Sequence, residues 1–172
     1  MRECDPMKTF SVRKLEKTDI EALLTFEIRN REWFESHIDA RAPSFYSLQG
    51  VADHIECYLS GFATGTWHPF VIEGASEGIV GRANLKDINS PKGCAEVGYR
   101  VDQRFCGQGL ATLALKHLIQ EARTHWNLTQ LFAHVYKSNV GSRKVLDRCG
   151  FLVERESWID NTKDECRLIL SI

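Results

Sequence analysis

One run, Arg104-Phe105-Cys106-Gly107-Gln108-Gly109-Leu110-Ala111, combines a cation, two glycines and the start of a helix. Upstream of it, Ala95 to Val101 alternates small or apolar residues with polar ones, as a strand does. Downstream, Leu110, Leu113, Ala114, Leu118, Ala122 and Trp126 recur at the spacing of a helix with one apolar face. Gly107 and Gly109 permit backbone conformations that a Cβ opposes, and let a ligand come close to the main chain. The first N–H groups of a helix lack intrahelical acceptors and lie at the positive end of its dipole. A phosphate or pyrophosphate meets both conditions. The chemistry expected here is anion binding by the N–H groups of Phe105, Cys106, Gly107, Gln108, Gly109, Leu110, Ala111 and Thr112. Arg104 is near enough to set the loop. The bland alternatives are an ordinary strand-to-helix turn and a solvated arginine. Two phosphate loops are excluded: no Gly-Lys-Ser/Thr follows, and Thr112 stands where a dinucleotide fold needs its third glycine.

Beyond that helix come Asn139-Val140-Gly141-Ser142 and then Cys149-Gly150-Phe151. Alone, Asn139 and Ser142 could serve only to cap a helix. In order with the glycine loop, the set resembles the GNAT superfamily of acetyl-coenzyme A-dependent N-acetyltransferases. Within it the chain looks most like the Rim-type branch, which acetylates the N-termini of ribosomal proteins. The resemblance runs from about Phe10 to the C-terminus and is most specific from Glu96 to Phe151.

The resemblance implies acetyl-CoA as cofactor, with its pyrophosphate on the loop amides. Its pantetheine arm would lie like an added strand against Glu96 to Val101, at Tyr99 and Val101, a contact that needs no particular side chain. Asn139 would hold that arm, and Ser142 would give the departing thiolate its proton. Many relatives carry a tyrosine acid where this chain has Leu146, a departure that favours the serine; Tyr136 is a weaker substitute. Glu96 lies where the family's water-linked carboxylates occur and is the candidate base, with Glu154 and Glu156 as rivals. An α-amine has a reference pKa of ~8 and a lysine ~10.4, so an N-terminal acceptor demands less of any base. Trp33 and Phe34 read from the residues as core or groove wall, and by resemblance as acceptor contacts. Cys106 as an acyl-accepting nucleophile is disfavoured, since no paired histidine is visible.

The 172 residues fit one domain, and 43% hydrophobic content can fill its core. Residues 1–6 read as a flexible tail and 7–172 as the transferase domain, with Met7 a possible second start. Lys plus Arg (22) balances Asp plus Glu (23), so no global field favours nucleic acid or an anionic membrane. The N-terminus lacks a secretory core, and no run approaches the ~20 apolar residues that span a bilayer. The expectation is a cytoplasmic protein, monomer or homodimer, whose partners are acetyl-CoA and an amine acceptor such as a ribosomal-protein N-terminus. Cysteines and histidines are scattered singly, without metal-ligand spacing.

These groups must be positioned by an edge strand (Thr9 to Leu15) and a capping box at Thr18 and Glu21 that opens a helix to Arg29. A second helical piece (Asn30 to Ile38) and a third helix near Leu48 to Ser60 follow. An antiparallel meander (Trp67 to Glu73, Gly78 to Asp87, Cys94 to Val101) leads to the loop and its helix. Then come a strand at Leu131 to Val135, a helix from Asn139 to Cys149, and strands Phe151 to Trp158 and Glu165 to Ser171 around a turn at Asp160 to Lys163. That order gives an α/β (α+β) fold: one GNAT-like domain with a mixed, mostly antiparallel central sheet flanked by helices. Three functions compete: acetylation of a protein N-terminal amine, acetylation of a small amine such as a polyamine, aminoglycoside or amino acid, and non-catalytic acyl-CoA binding.

Overall fold

The computed structural model describes residues 9–154 and 164–172. Its strands are β1 (Phe10–Lys14), β2 (His68–Gly74), β3 (Gly78–Asn89), β4 (Cys94–Val101), β5 (Gln130–Tyr136), β6 (Leu152–Val153) and β7 (Glu165–Ser171). The helices are α1 (Ile20–Arg29), α2 (Arg31–Glu35), α3 (Leu48–Ala63), α4 (Leu110–Thr124) and α5 (Val140–Arg148). The seven strands form one sheet in the order β1-β2-β3-β4-β5-β7-β6. Every neighbouring pair is antiparallel except β4 with β5.

Both sheet faces are covered, which is why the central strands are apolar on both sides. Leu115, Leu118 and Ala122 of α4 and Leu146 of α5 pack on one face against Ile72, Leu85 and Val97. On the other, Leu23 and Phe26 of α1 and Val51 and Ile55 of α3 pack against Val71 and Ile79. Leu113, expected on the apolar stripe of α4, is 40% exposed; the stripe passes instead through the buried Leu115 and Ile119. The expected cap at Thr18 also differs. Asp19, held by Arg13, accepts from the Glu16 backbone N–H at 2.8 Å, while Thr18 only approaches the Glu16 carboxylate at 3.5 Å. Ser47 caps α3 through the N–H of Gly50. The proposed strand end at Trp158 and the turn at residues 160–163 lie outside the described residues.

One feature of the ladder opens the site. β4 pairs with β3 along Glu96 to Val101, but its parallel pairing with β5 stops at Glu96. The two strands part there, leaving the β5-facing edge of β4 from Val97 to Val101 without a ladder partner among the described residues.

Candidate active site

The glycine loop follows directly from β4. Asp102, 0% exposed, opens a short 3-10 turn at Gln103–Phe105 and accepts from the Arg104 backbone N–H at 2.9 Å. Its carboxylate also holds the guanidiniums of Arg104 (3.1 Å) and of Arg29 on α1 (2.7 Å). Burial alone raises this carboxyl, but the hydrogen bonds from Arg104 and Arg29 outweigh it and hold it at about 2. Asn30, also buried, accepts from the Gln103 N–H at 3.0 Å. Phe105 is buried edge-on against Phe10. The loop is thus fixed from beneath, and Arg104 is tied back to it.

The N–H of Phe105 is bonded to the Asp102 carbonyl at 2.9 Å, and that of Cys106 reaches Gln103 O at 3.4 Å. The amides open to a ligand therefore narrow to Gly107 through Thr112, because those of Leu110, Ala111 and Thr112 are the first turn of α4. Gly107 and Gly109 have φ of 76° and 81°, and a Cβ on either would meet no atom within 4 Å. A cleft of about 700 Å³ runs from this loop along Tyr99 and Val101 to the start of α5 at Asn139, Gly141 and Ser142. Trp33 and Phe34 border it too; Phe34 is otherwise buried in the α1/α3 core, and the Trp33 ring packs at a tilt against His37.

At the far end of the cleft, Asn139 Oδ1 caps α5 through the Ser142 N–H at 3.3 Å. The Ser142 hydroxyl lies 3.0 Å from the Tyr99 hydroxyl, which also donates to the Ser142 carbonyl at 3.1 Å. Burial pushes the Tyr99 phenol up to about 12, despite its bond to Ser142. Tyr99, Asn139 and Ser142 also border a second pocket, of about 370 Å³, on the other side of the parted strands. Glu96 faces that pocket, bridged to Lys86 at 3.0 Å and His134 at 3.2 Å. A glycine loop at a helix start, a strand edge without a ladder partner among the described residues, a hydroxyl pair and a half-buried carboxylate thus succeed one another along two cavities that meet at Ser142.

The acetyltransferase (GNAT) domain family matches residues 10–152. The chain belongs to the GNAT acetyltransferase family. A Bacillus subtilis relative described as a probable N-acetyltransferase, YjcK, is 32% identical over 146 residues, covering 84% of this chain and 81% of its own. The spermidine N(1)-acetyltransferase of Vibrio cholerae is 25% identical over 148 residues, covering 84% and 79%. The fold matches the ribosomal-protein-S5-alanine acetyltransferase of Vibrio fischeri with a TM-score of 0.85 at 22% identity, over 94% of this chain and 92% of that one. It also matches RimL, a ribosomal L7/L12 acetyltransferase solved with coenzyme A, with a TM-score of 0.82 at 18% identity, over 95% and 94%. GNAT enzymes use acetyl-CoA as cosubstrate, and this chain is an acetyl-CoA-dependent N-acetyltransferase.

Within this GNAT domain, Tyr99, Val101, Phe105, Cys106, Gly107, Gly109, Leu110, Ala111, Thr112, Asn139 and Ser142 share one cleft with Trp33 and Phe34, while Glu96 lies across the β4 edge in the second pocket. Arg104 and Gln108 line neither cavity. Of the rival bases, Glu154 pairs with Arg167 at 2.6 Å, and Glu156 lies outside the described residues. Leu146 is core. Tyr136 donates its hydroxyl to Asp39 at 2.8 Å. Cys106 is exposed, burial raises its thiol, and Asp102 adds to the rise, which opposes a nucleophilic role. Among the described residues no helix is long and apolar enough to cross a membrane.

Sequence reasoning missed Asp102, Asn30, His134 and a buried ion cluster around Glu27. A signal existed for the last. Glu27 sits among Leu23, Phe26 and Asn30 on the buried side of α1, and Arg82 interrupts the apolar run Ile79-Val80-Gly81 of β3.

Proposed function

We propose that this GNAT enzyme acetylates the N-terminal α-amine of a protein, with a ribosomal protein as the Rim-type acceptor. The observation that carries the reading is the state of Glu96. This carboxylate faces the second pocket but is already bridged to Lys86 and His134. An α-amine of reference pKa ~8 asks less of a base at this position than a lysine near ~10.4, which favours an N-terminal acceptor.

The residues present fit acetyl-CoA: open Cβ positions at two glycines, free amides at a helix start, and an unpaired strand edge. The amides of Gly107 to Thr112 would hold the diphosphate, with Arg104 and Asp102 fixing their loop. Val97 to Val101 of β4 would pair with the pantetheine arm, ending near Asn139. Acetyl-CoA supplies an activated thioester. Glu96, directly or through water, takes a proton from the entering amine. Ser142, bonded to a Tyr99 hydroxyl that stays protonated far above neutral pH, donates its proton to the leaving sulfur, and Tyr99 reloads or orients it.

Thiol release from acetyl-CoA tests the acceptor. Peptides beginning Ser or Ala are expected to turn over at least about tenfold faster, by kcat/KM, than spermidine or an aminoglycoside. Faster release with either small amine would reverse the assignment.

A further inference from the structure

The parallel ladder between β4 and β5 ends with Glu96 opposite Phe132. Side chains alternate along a strand, so His134, two residues on, is the first on that face of β5 once the strands part. Its Nδ1 lies 3.2 Å from the Glu96 carboxylate, and both side chains line the pocket that also reaches Tyr99 and Ser142. The pair is unequal in exposure: the Glu96 side chain is 14% exposed and that of His134 36%. No other polar group holds the ring among the described residues; it packs edge-on against Phe132.

A proton taken at Glu96 has to leave before the next turnover. An imidazole, with a reference pKa of ~6.5, stands between a carboxylate at ~4.3 and an α-amine at ~8, so it stores that proton better than a carboxylate and still releases it at neutral pH. A carboxylate beside the ring favours the imidazolium further. The charged groups on the surrounding elements offset one another. Lys86 of β3 bridges Glu96 at 3.0 Å, and Arg167, opposite His134 in the β7 ladder, pairs with Glu154 at 2.6 Å. Asp39 and Glu165 line the same pocket, with the Tyr136 hydroxyl bonded to Asp39.

We infer that His134 is the second half of the base, the group that receives from Glu96 the proton taken off the acceptor amine and delivers it to solvent. The inference rests on the N-terminal reading with Glu96 as its base. The acceptor ammonium gives one proton to Glu96 and becomes the neutral nucleophile. The O–H bond on Glu96 then breaks as an N–H bond forms on Nδ1, which restores the carboxylate beside an imidazolium. The exposed ring returns to neutral by releasing a proton to water, so no charge accumulates in the pocket.

The test is thiol release from acetyl-CoA by a peptide beginning Ser, followed from about pH 5 to about pH 9, with spermidine alongside. Because the amine and the imidazole must both be free of a proton, log kcat/KM should rise with a slope of about two below pH ~6.5 and about one from there to ~8. His134→Gln should lower kcat by about tenfold or more near neutral pH and leave a slope of about one throughout, with coenzyme A affinity unchanged by calorimetry. Free imidazole should restore part of the rate to His134→Ala. A slope of one in the unaltered enzyme, or a profile whose shape His134→Gln does not change, overturns the relay and leaves the N-terminal reading standing. Release with spermidine and with no peptide overturns that reading itself.

Discussion

The hydroxyls of Tyr99 and Ser142 lie 3.0 Å apart, joining β4 to the first turn of α5 where the two cavities meet. This pair is the acid proposed above for the departing thiolate.

Ser142→Ala should lower kcat by about 100-fold or more, as for loss of a general acid, with little change in the KM for acetyl-CoA. The fold should tolerate it, because the Tyr99 hydroxyl keeps the residue 142 carbonyl as its acceptor. Steady-state kinetics check this. An unchanged kcat would reduce Ser142 to a packing role.

Gly141, in the first turn of α5, faces the cleft, and a Cβ there meets nothing within 4 Å. Gly141→Leu should therefore weaken coenzyme A binding by about 100-fold, or about 3 kcal/mol. Its melting temperature should not fall, since leucine is the better helix former. Calorimetric titration and thermal unfolding together make the check. The same change at Gly109 would be ambiguous, because its positive φ strains any side chain.

Asp102 sets an acid limit on stability. Its carboxyl, held at about 2 against an ordinary 3.8, resists protonation in the folded chain more than in the unfolded one. Its contribution, about 2 kcal/mol, is complete above pH ~4 and disappears as pH falls towards 2. Asp102→Asn should cost about 3 kcal/mol at neutral pH and flatten that part of the acid limb. Denaturant melts of both proteins between pH 6 and 2.5 would reveal an unaltered slope if Asp102 were not responsible.

The elements and the cradle were legible because each rests on a local pattern. Alternation marked β4, period marked α4, and glycines marked the junction between them. Glu96 and Ser142 could be named only through the family resemblance. What sequence could not supply was convergence of distant residues. Arg29 reaches Asp102 from another element, and Tyr99 meets Ser142 only because β4 and β5 part after Glu96. Tyr99, named from sequence for its backbone alone, also brings its side-chain hydroxyl to Ser142. Glu27 and its three arginines come from α1, the loop after α2, β3 and β4, and only folding assembles them.

The most direct measurement is a crystal structure of the chain with coenzyme A. The account predicts the diphosphate on the N–H groups between Gly107 and Thr112, the pantetheine arm paired to β4 from Val97 to Val101, and the sulfur beside the Ser142 hydroxyl. Coenzyme A bound elsewhere, or bound here with its sulfur remote from Ser142, would contradict it.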